Sequence, residues 1–302
     1  MCVFKIMGDF LGHAVPGAMF LLFSLWWYVG ALLQTRNSLS SYSRRGLLLS
    51  SDSSNERLKS QSPAVWYPCP GQRLSKIPLE PIVKVLFGIL GVVGELFFDG
   101  SWILIDKNGK FVAEHLNNHS HTVMYCFFGL SGVVDLLMWG GSVISLPRKF
   151  DFMIMSTCFW IEGFLFYFHL QGHSDISVRL HTILYIVIFV TAATFLVDVF
   201  LMRHQSLFAL MRAILLGIQG TWFLQIAFVL YGPKPWKDTQ TNVEFLAVAF
   251  AWHLFIFLSV ALVLFVVFHR FCGKKRGSRD SRDQLQDSLS DEEVEAISLE
   301  TL

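Results

Sequence analysis

Seven long apolar runs, separated by polar or charged stretches, organise this chain. They cover approximately Leu11–Leu33, Pro81–Phe98, His121–Gly141, Phe152–Leu170, Leu180–Met202, Leu207–Tyr231 and Val243–His269. A helix that crosses the hydrocarbon core needs about 20 mostly apolar residues, and each run comes close to that length. The runs are continuously apolar instead of alternating, which excludes the strands of a closed barrel and leaves helices as the spanning element. The pattern therefore predicts an all-α, seven-transmembrane helix bundle. Residues 1–10 form a short N-terminal segment and 11–269 the membrane domain, which includes a Ser-rich loop at 34–79. Residues 270–302 are expected to be a flexible tail. No small-residue cleavage site follows the first run, so it reads as a retained transmembrane helix.

Charge placement then suggests an orientation. The loop after the first run carries Arg36, Arg44, Arg45, Arg57, Lys59, Arg73 and Lys76. Arg148, Lys149, Arg203, Arg270, Lys274, Lys275 and Arg276 fall on the same side of a seven-span chain. Basic loops stay in the cytosol, so the N-terminus is expected in the lumen or outside the cell and the C-terminus in the cytosol. Composition agrees with a membrane protein: only 16% of residues are charged, against roughly 25% in an ordinary soluble domain. No basic, aromatic-interleaved soluble face exists, which removes nucleic acid as a partner. The five cysteines are scattered and make neither a metal pair nor a disulfide framework. Glycines at 88, 91, 94, 129 and 132 let helices approach closely; they suit packing within the bundle or a homodimer. The other expected partner is the bilayer itself.

Candidate chemistry comes from ionisable groups inside the runs, where each is costly and usually turned to the bundle interior. Under the expected topology His13, Glu95, His121, Glu162, His169, His181 and His253 all fall toward the lumenal half. Glu162 and His169 are seven residues apart and share a helix face, with His173 one turn further. Glu162 and His253 come out at similar depth and are the expected mid-depth partners. Imidazoles facing carboxylates inside a bundle suit zinc or another transition metal, and a zinc-bound water would need a base such as Glu95 or Glu162. Against that stand interfacial histidines and a Glu162 that simply hydrogen-bonds a neighbouring helix. No span holds an HExxH or HxxxH pair. Asp135 and Asp198 lie toward the cytosolic side, where Arg148, Arg203 and Arg212 are their expected partners.

The stretches MGDFLGHAVPG (7–17), HTVMYCFFGLSGVVD (121–135), EGFLFYFHLQGH (162–173), IQGTWFLQIAFVLY (218–231) and AWHLF (251–255) resemble the transmembrane protein 45 family, and within it the transmembrane epididymal branch. That resemblance implies a multi-pass membrane protein whose biochemical activity is poorly defined. It also implies that His13, Glu95, His121, Glu162, His169, His181, Asp198, Gln219, Trp222, Gln225 and His253 carry the family pattern. This chain departs from the pattern where Ser120-His121 replaces a histidine pair, and where Gln171 replaces a histidine after His169.

Three functions compete on the sequence. The first is a non-enzymatic membrane protein of secretory, endosomal or plasma membranes that acts through partners or trafficking. The second is a metal-dependent membrane hydrolase acting on a lipid-like substrate, and the third a metal or proton transporter. No DRY follows the third run and no NPxxY or lysine lies in the seventh, which disfavours a receptor of the rhodopsin type.

Overall fold

The computed structural model describes residues 2–47, 66–68, 76–97, 101–139, 146–168, 170, 173–201 and 205–300; side chains are placed for 10–35, for 206–270 and throughout the other segments from 66 to 201. His169 lies outside the described residues. Among the described residues seven long helices form: α1 (Cys2–Leu47), α2 (Leu79–Phe97), α3 (Leu116–Trp139), α4 (Phe150–Phe168), α5 (Asp175–Phe200), α6 (Gln205–Tyr231) and α7 (Gln240–Glu300). A single 3₁₀ turn, Ala113–His115, leads into α3.

Six helical segments are long and apolar enough to cross a membrane. The exception to the expected seven is α2: its 19 residues include Glu80, Lys84 and Glu95. Glu80 immediately precedes the apolar run Pro81–Phe98, while Lys84 and Glu95 lie within it; Glu80 and Lys84 fall in the helix's first two turns.

The chain divides into two compact units, Met1–Leu254 and Phe255–Leu302. Within the first, α1 packs on α6, α6 on α5, α5 on α4, α4 on α3 and α3 on α2. Close approach at two of these contacts depends on glycine. A Cβ on Gly17 of α1 would lie 3.0 Å from the Gly220 carbonyl oxygen of α6, and one on Gly220 would lie 2.8 Å from that of Gly17. Between α2 and α3, a Cβ on Gly88 would sit 2.8 Å from the Gly129 Cα, and one on Gly132 would sit 2.8 Å from the Pro81 carbonyl. These glycines are thus engaged inside the chain, whereas Gly94 has no atom within 4 Å of its Cβ position. The second unit is helical from Phe255 to Glu300.

Between α2 and α3 the chain makes a tight reversal. Asp106 Oδ1 accepts the backbone N–H groups of Asn108 (2.8 Å) and Lys110 (2.9 Å), with Gly109 in the left-handed region. The backbone N–H of Lys110, then that of Asn108, hold this exposed carboxyl below its usual range.

Candidate functional site

The sequence places ionisable groups at both ends of the helices, and the structure treats the two ends differently. At the end where α1 finishes its apolar stretch and α2 begins, the charges are buried and mutually paired. Lys84 Nζ lies 3.0 Å from Glu80 Oε1 and 2.9 Å from Asp135 Oδ2. Trp27 Nε1 donates to Glu80 Oε1 at 2.7 Å, and the Tyr67 backbone N–H donates to Glu80 Oε2 at 3.2 Å. The (i, i+4) spacing puts Glu80 and Lys84 on one helix face, so the pair is built into α2 before α3 brings Asp135.

Beside it, the Asp198 carboxylate pairs with the Arg212 guanidinium, and Lys149 reaches the Asp198 backbone carbonyl. Lys149 Nζ is also 3.7 Å from Asp198 Oδ1. Lys149 adopts a φ of 62°, uncommon for a residue with a Cβ, as the chain turns into α4 and carries this side chain inward. The Arg212 guanidinium lies 4.9 Å above the Phe152 ring and 5.2 Å above Phe195, the stacked geometry that favours arginine in low-dielectric settings. Tyr67 lies near Arg212. Burial pushes its hydroxyl up to about 12 even though the guanidinium opposes the shift, so the phenol stays neutral. Asp198 and Arg212 pair as expected from sequence. Asp135 instead takes Lys84, which the sequence reading passed over. The signal was present as a lysine four residues after a glutamate at the start of an apolar run.

At the opposite end of the helices the polar groups are sparser. His121 Nδ1 lies 3.2 Å from Glu95 Oε1, and Asn118 Nδ2 donates to Glu95 Oε2 at 2.9 Å. His13 Nε2 and His181 Nε2 are 3.3 Å apart. His181 Nδ1 lies 2.9 Å from the Ser177 carbonyl oxygen, a contact in which Nδ1 donates, and Nε2 is the nitrogen turned to His13. The His173 ring centroid is 6.4 Å from that of His181. Deeper in α4, Glu162 is buried and its Oε2 has no hydrogen-bond partner. Buried polar atoms are nearly always paired, so each exception calls for an explanation.

These groups meet around one cavity of about 90 Å³. Its walls are largely aromatic and thioether side chains, including Phe20, Phe128, Phe159 and Met124, with Trp27 toward one end. The ionisable side chains His13, His121, Glu162, Lys84 and Tyr125 reach it. Along α4 the lining runs from Met155 to Phe166, eleven residues apart. At 1.5 Å per residue that is about 16 Å, so the cavity is elongated along the helices.

The sequence expectation of a shared polar cluster is met only as pairs. His13 joins His181 and His121 joins Glu95, while Glu162 stands without a partner for Oε2. Among the described residues no group of three or more His, Cys, Asp or Glu side chains is arranged to hold a metal ion. Glu162 and His253 are not mid-depth partners. His253 packs edge-on to Trp222, ring centroids 5.3 Å apart, and is absent from the cavity wall that Glu162 joins. Equal depth was a sound inference from helix rise, but depth says nothing of which neighbour a helix faces. The remaining family positions are structural contacts. Gln219 Nε2 donates to Thr191 Oγ1 at 2.6 Å, and Trp222 Nε1 donates to the Leu180 carbonyl at 3.0 Å, both tying α6 to α5. Gln225 is half-buried on α6.

Residues 148–266, from the start of α4 into α7, match the model of a family of unknown function, DUF716. The chain is 24% identical to transmembrane epididymal protein 1A of Mus musculus over 260 residues, covering 83% of this chain and 77% of that protein. It is 22% identical to transmembrane epididymal protein 1 of Rattus norvegicus over 264 residues, 83% of this chain and 77% of the relative. It is 24% identical to transmembrane epididymal protein 1 of Homo sapiens over 201 residues, 64% and 72% of the two chains. The resemblance read from the sequence thus stands on two findings: residues 148–266 match the DUF716 model, and the chain is similar to transmembrane epididymal proteins over 83% of its length in two of them.

Proposed function

We propose that this multi-pass membrane protein is a binding protein, whose helices hold a small amphiphile drawn from the surrounding bilayer. It acts in secretory, endosomal or plasma membranes through that ligand and through partners, without covalent chemistry of its own. The observation that carries the reading is the elongated apolar cavity with the Glu162 carboxyl buried on its wall and Oε2 unpartnered. Ligand sites are mostly apolar with a few placed polar groups, and this cavity has that composition. In this reading α2 is the seventh span, its charges made tolerable by Glu80–Lys84–Asp135 and by Glu95–His121. With seven spans the basic loops support an N-terminus in the lumen or outside and a C-terminus in the cytosol.

The test is lipid retention. Protein extracted into native nanodiscs is analysed by mass spectrometry, beside Met124→Trp and Met19→Trp variants that fill the cavity. A bound amphiphile present in the parent and depleted several-fold in both variants is expected. Equal lipid content in all three, with folding preserved, overturns the reading.

A second reading, a metal seat on His13 and His181, is favoured by one distance. Two nitrogens on a tetrahedral zinc with bonds of about 2.0 Å lie roughly 3.3 Å apart, and the two Nε2 atoms are separated by 3.3 Å. A hydrolase or a metal transporter would start from that seat. Stoichiometric zinc in purified protein, lost in His181→Ala, is the expected result under this reading; metal-free protein rejects it.

A further inference from the structure

We infer that the cavity selects its ligand by head-group charge: it takes a single-chain amphiphile with an amine or hydroxyl head and discriminates against the carboxylate of the same chain. This rests on the binding reading above and adds the chemical class of the ligand. The argument is a tally of charge on the cavity wall. Two wall residues are able to carry positive charge opposite an anionic head, Lys84 and His121, apart from His13, whose Nε2 faces another imidazole. Lys84 already contacts two carboxylates, Glu80 at 3.0 Å and Asp135 at 2.9 Å. His121 already contacts Glu95 at 3.2 Å. Glu162 brings a carboxyl group to the wall, and its Oε2 has no hydrogen-bond donor. An anionic head entering at Glu162 finds Lys84 and His121 already matched and meets a carboxyl group; its desolvation is not offset. A head that donates a hydrogen bond supplies what Glu162 lacks. An ammonium adds a charge-assisted bond, roughly twice as strong as a neutral one.

The shape specifies the tail. The cavity extends about 16 Å along α4 and is walled by Phe20, Phe128 and Phe159 about its middle, where Phe128 and Phe159 meet edge-on at 5.4 Å. That length suits a single alkyl chain laid along the helices.

Three probes with one tail and different heads make the test: tetradecylamine, tetradecanol and tetradecanoate, titrated into nanodisc-embedded protein and read by native mass spectrometry and thermal stabilisation. Amine and alcohol are expected to bind at least tenfold tighter than the carboxylate at neutral pH. Glu162→Gln is expected to bring amine and alcohol affinities within about threefold of each other while leaving alcohol binding. The head-group comparison on the parent protein alone decides the matter if that variant does not fold. Tetradecanoate binding as tightly as the amine overturns the selectivity and leaves the binding reading standing. No binding of any probe, together with an unchanged response in Met124→Trp, overturns the binding reading itself.

Discussion

Lys84 and Glu162 both touch the same cavity, and their surroundings follow opposite electrostatic rules. Lys84 has two carboxylates within 3.0 Å, one of them held in turn by the Trp27 indole and the Tyr67 backbone. Glu162, equally buried, has no donor for Oε2. A charge taken from water is costly unless it is paired and hydrogen-bonded. The first arrangement meets that requirement inside the chain and joins α1, α2 and α3 in one register. The second does not meet it inside the chain, and the proposed ligand's head group would supply the missing donor. The same contrast separates the tightly tied Asp198–Arg212–Lys149 set from the looser His13–His181 contact.

The sharpest way to break this comparison is Lys84→Met. It strands Glu80 and Asp135 as buried carboxylates without their cation, a loss of about 3–5 kcal/mol by the usual cost of breaking a buried pair. Thermal unfolding of the purified protein in detergent reads it. The triple variant that adds Glu80→Gln and Asp135→Asn should recover most of the loss, because neutralising the whole set removes the stranded charges. A single variant that melts within a degree of the parent would show that the set does not hold these helices.

Next in size is Gly220→Ala. Its added methyl meets the Gly17 carbonyl oxygen at 2.8 Å and the Leu21 backbone nitrogen at 2.9 Å, neither of which is a flexible side chain. Separating α1 from α6 should cost about 1–3 kcal/mol and should also weaken amphiphile binding, since both helices line the cavity. Gly94→Ala is the control: nothing lies within 4 Å, and a gain of roughly 0.5–1 kcal/mol is expected from helix propensity.

How much of this was legible beforehand follows from the same physics. The helices were readable because a membrane span must be continuously apolar, a constraint stronger than any local propensity. Which histidines and carboxylates lie toward which end was readable from helix rise: His13 does meet His181, and His121 does meet Glu95. Partner choice was not readable, because it depends on which helices adjoin. α7 brings His253 to Trp222 instead of to Glu162, and α2 brings Lys84 to Asp135. The cavity was invisible for a further reason. A wall of Phe and Met has the same sequence pattern as a filled core, and only packing tells the two apart.

A smaller effect is expected at Asn118. Its side-chain amide donates to Glu95 Oε2 at 2.9 Å and lies 3.4 Å from the Glu95 carbonyl oxygen, so the sequon Asn118-His-Ser120 has its acceptor nitrogen occupied in a half-buried position. No glycan should be found there, read as an unchanged gel mobility after glycosidase treatment. Asn118→Ala should cost about 0.5–1.5 kcal/mol, the net worth of one hydrogen bond, and leave His121 as the remaining side-chain partner of Glu95 named here.

The smallest expected change in stability is also the one that bears most on function. Glu162→Gln keeps the side chain's shape and removes the ionisable group. For a carboxylate held as Lys84 holds Asp135, removing the charge would be destabilising. For one whose Oε2 has no donor, nothing favourable is lost and a desolvation cost is relieved. Delipidated protein should therefore unfold within about 1 kcal/mol of the parent, on the stable side if it moves at all. In the presence of tetradecylamine the order should reverse: the parent gains stability from binding, as any ligand specific for the folded state provides, and the variant gains less. A variant that is several kcal/mol less stable without ligand would mean that Glu162 has a structural partner after all. The contrast with Lys84 would then collapse into two versions of the same buried pairing.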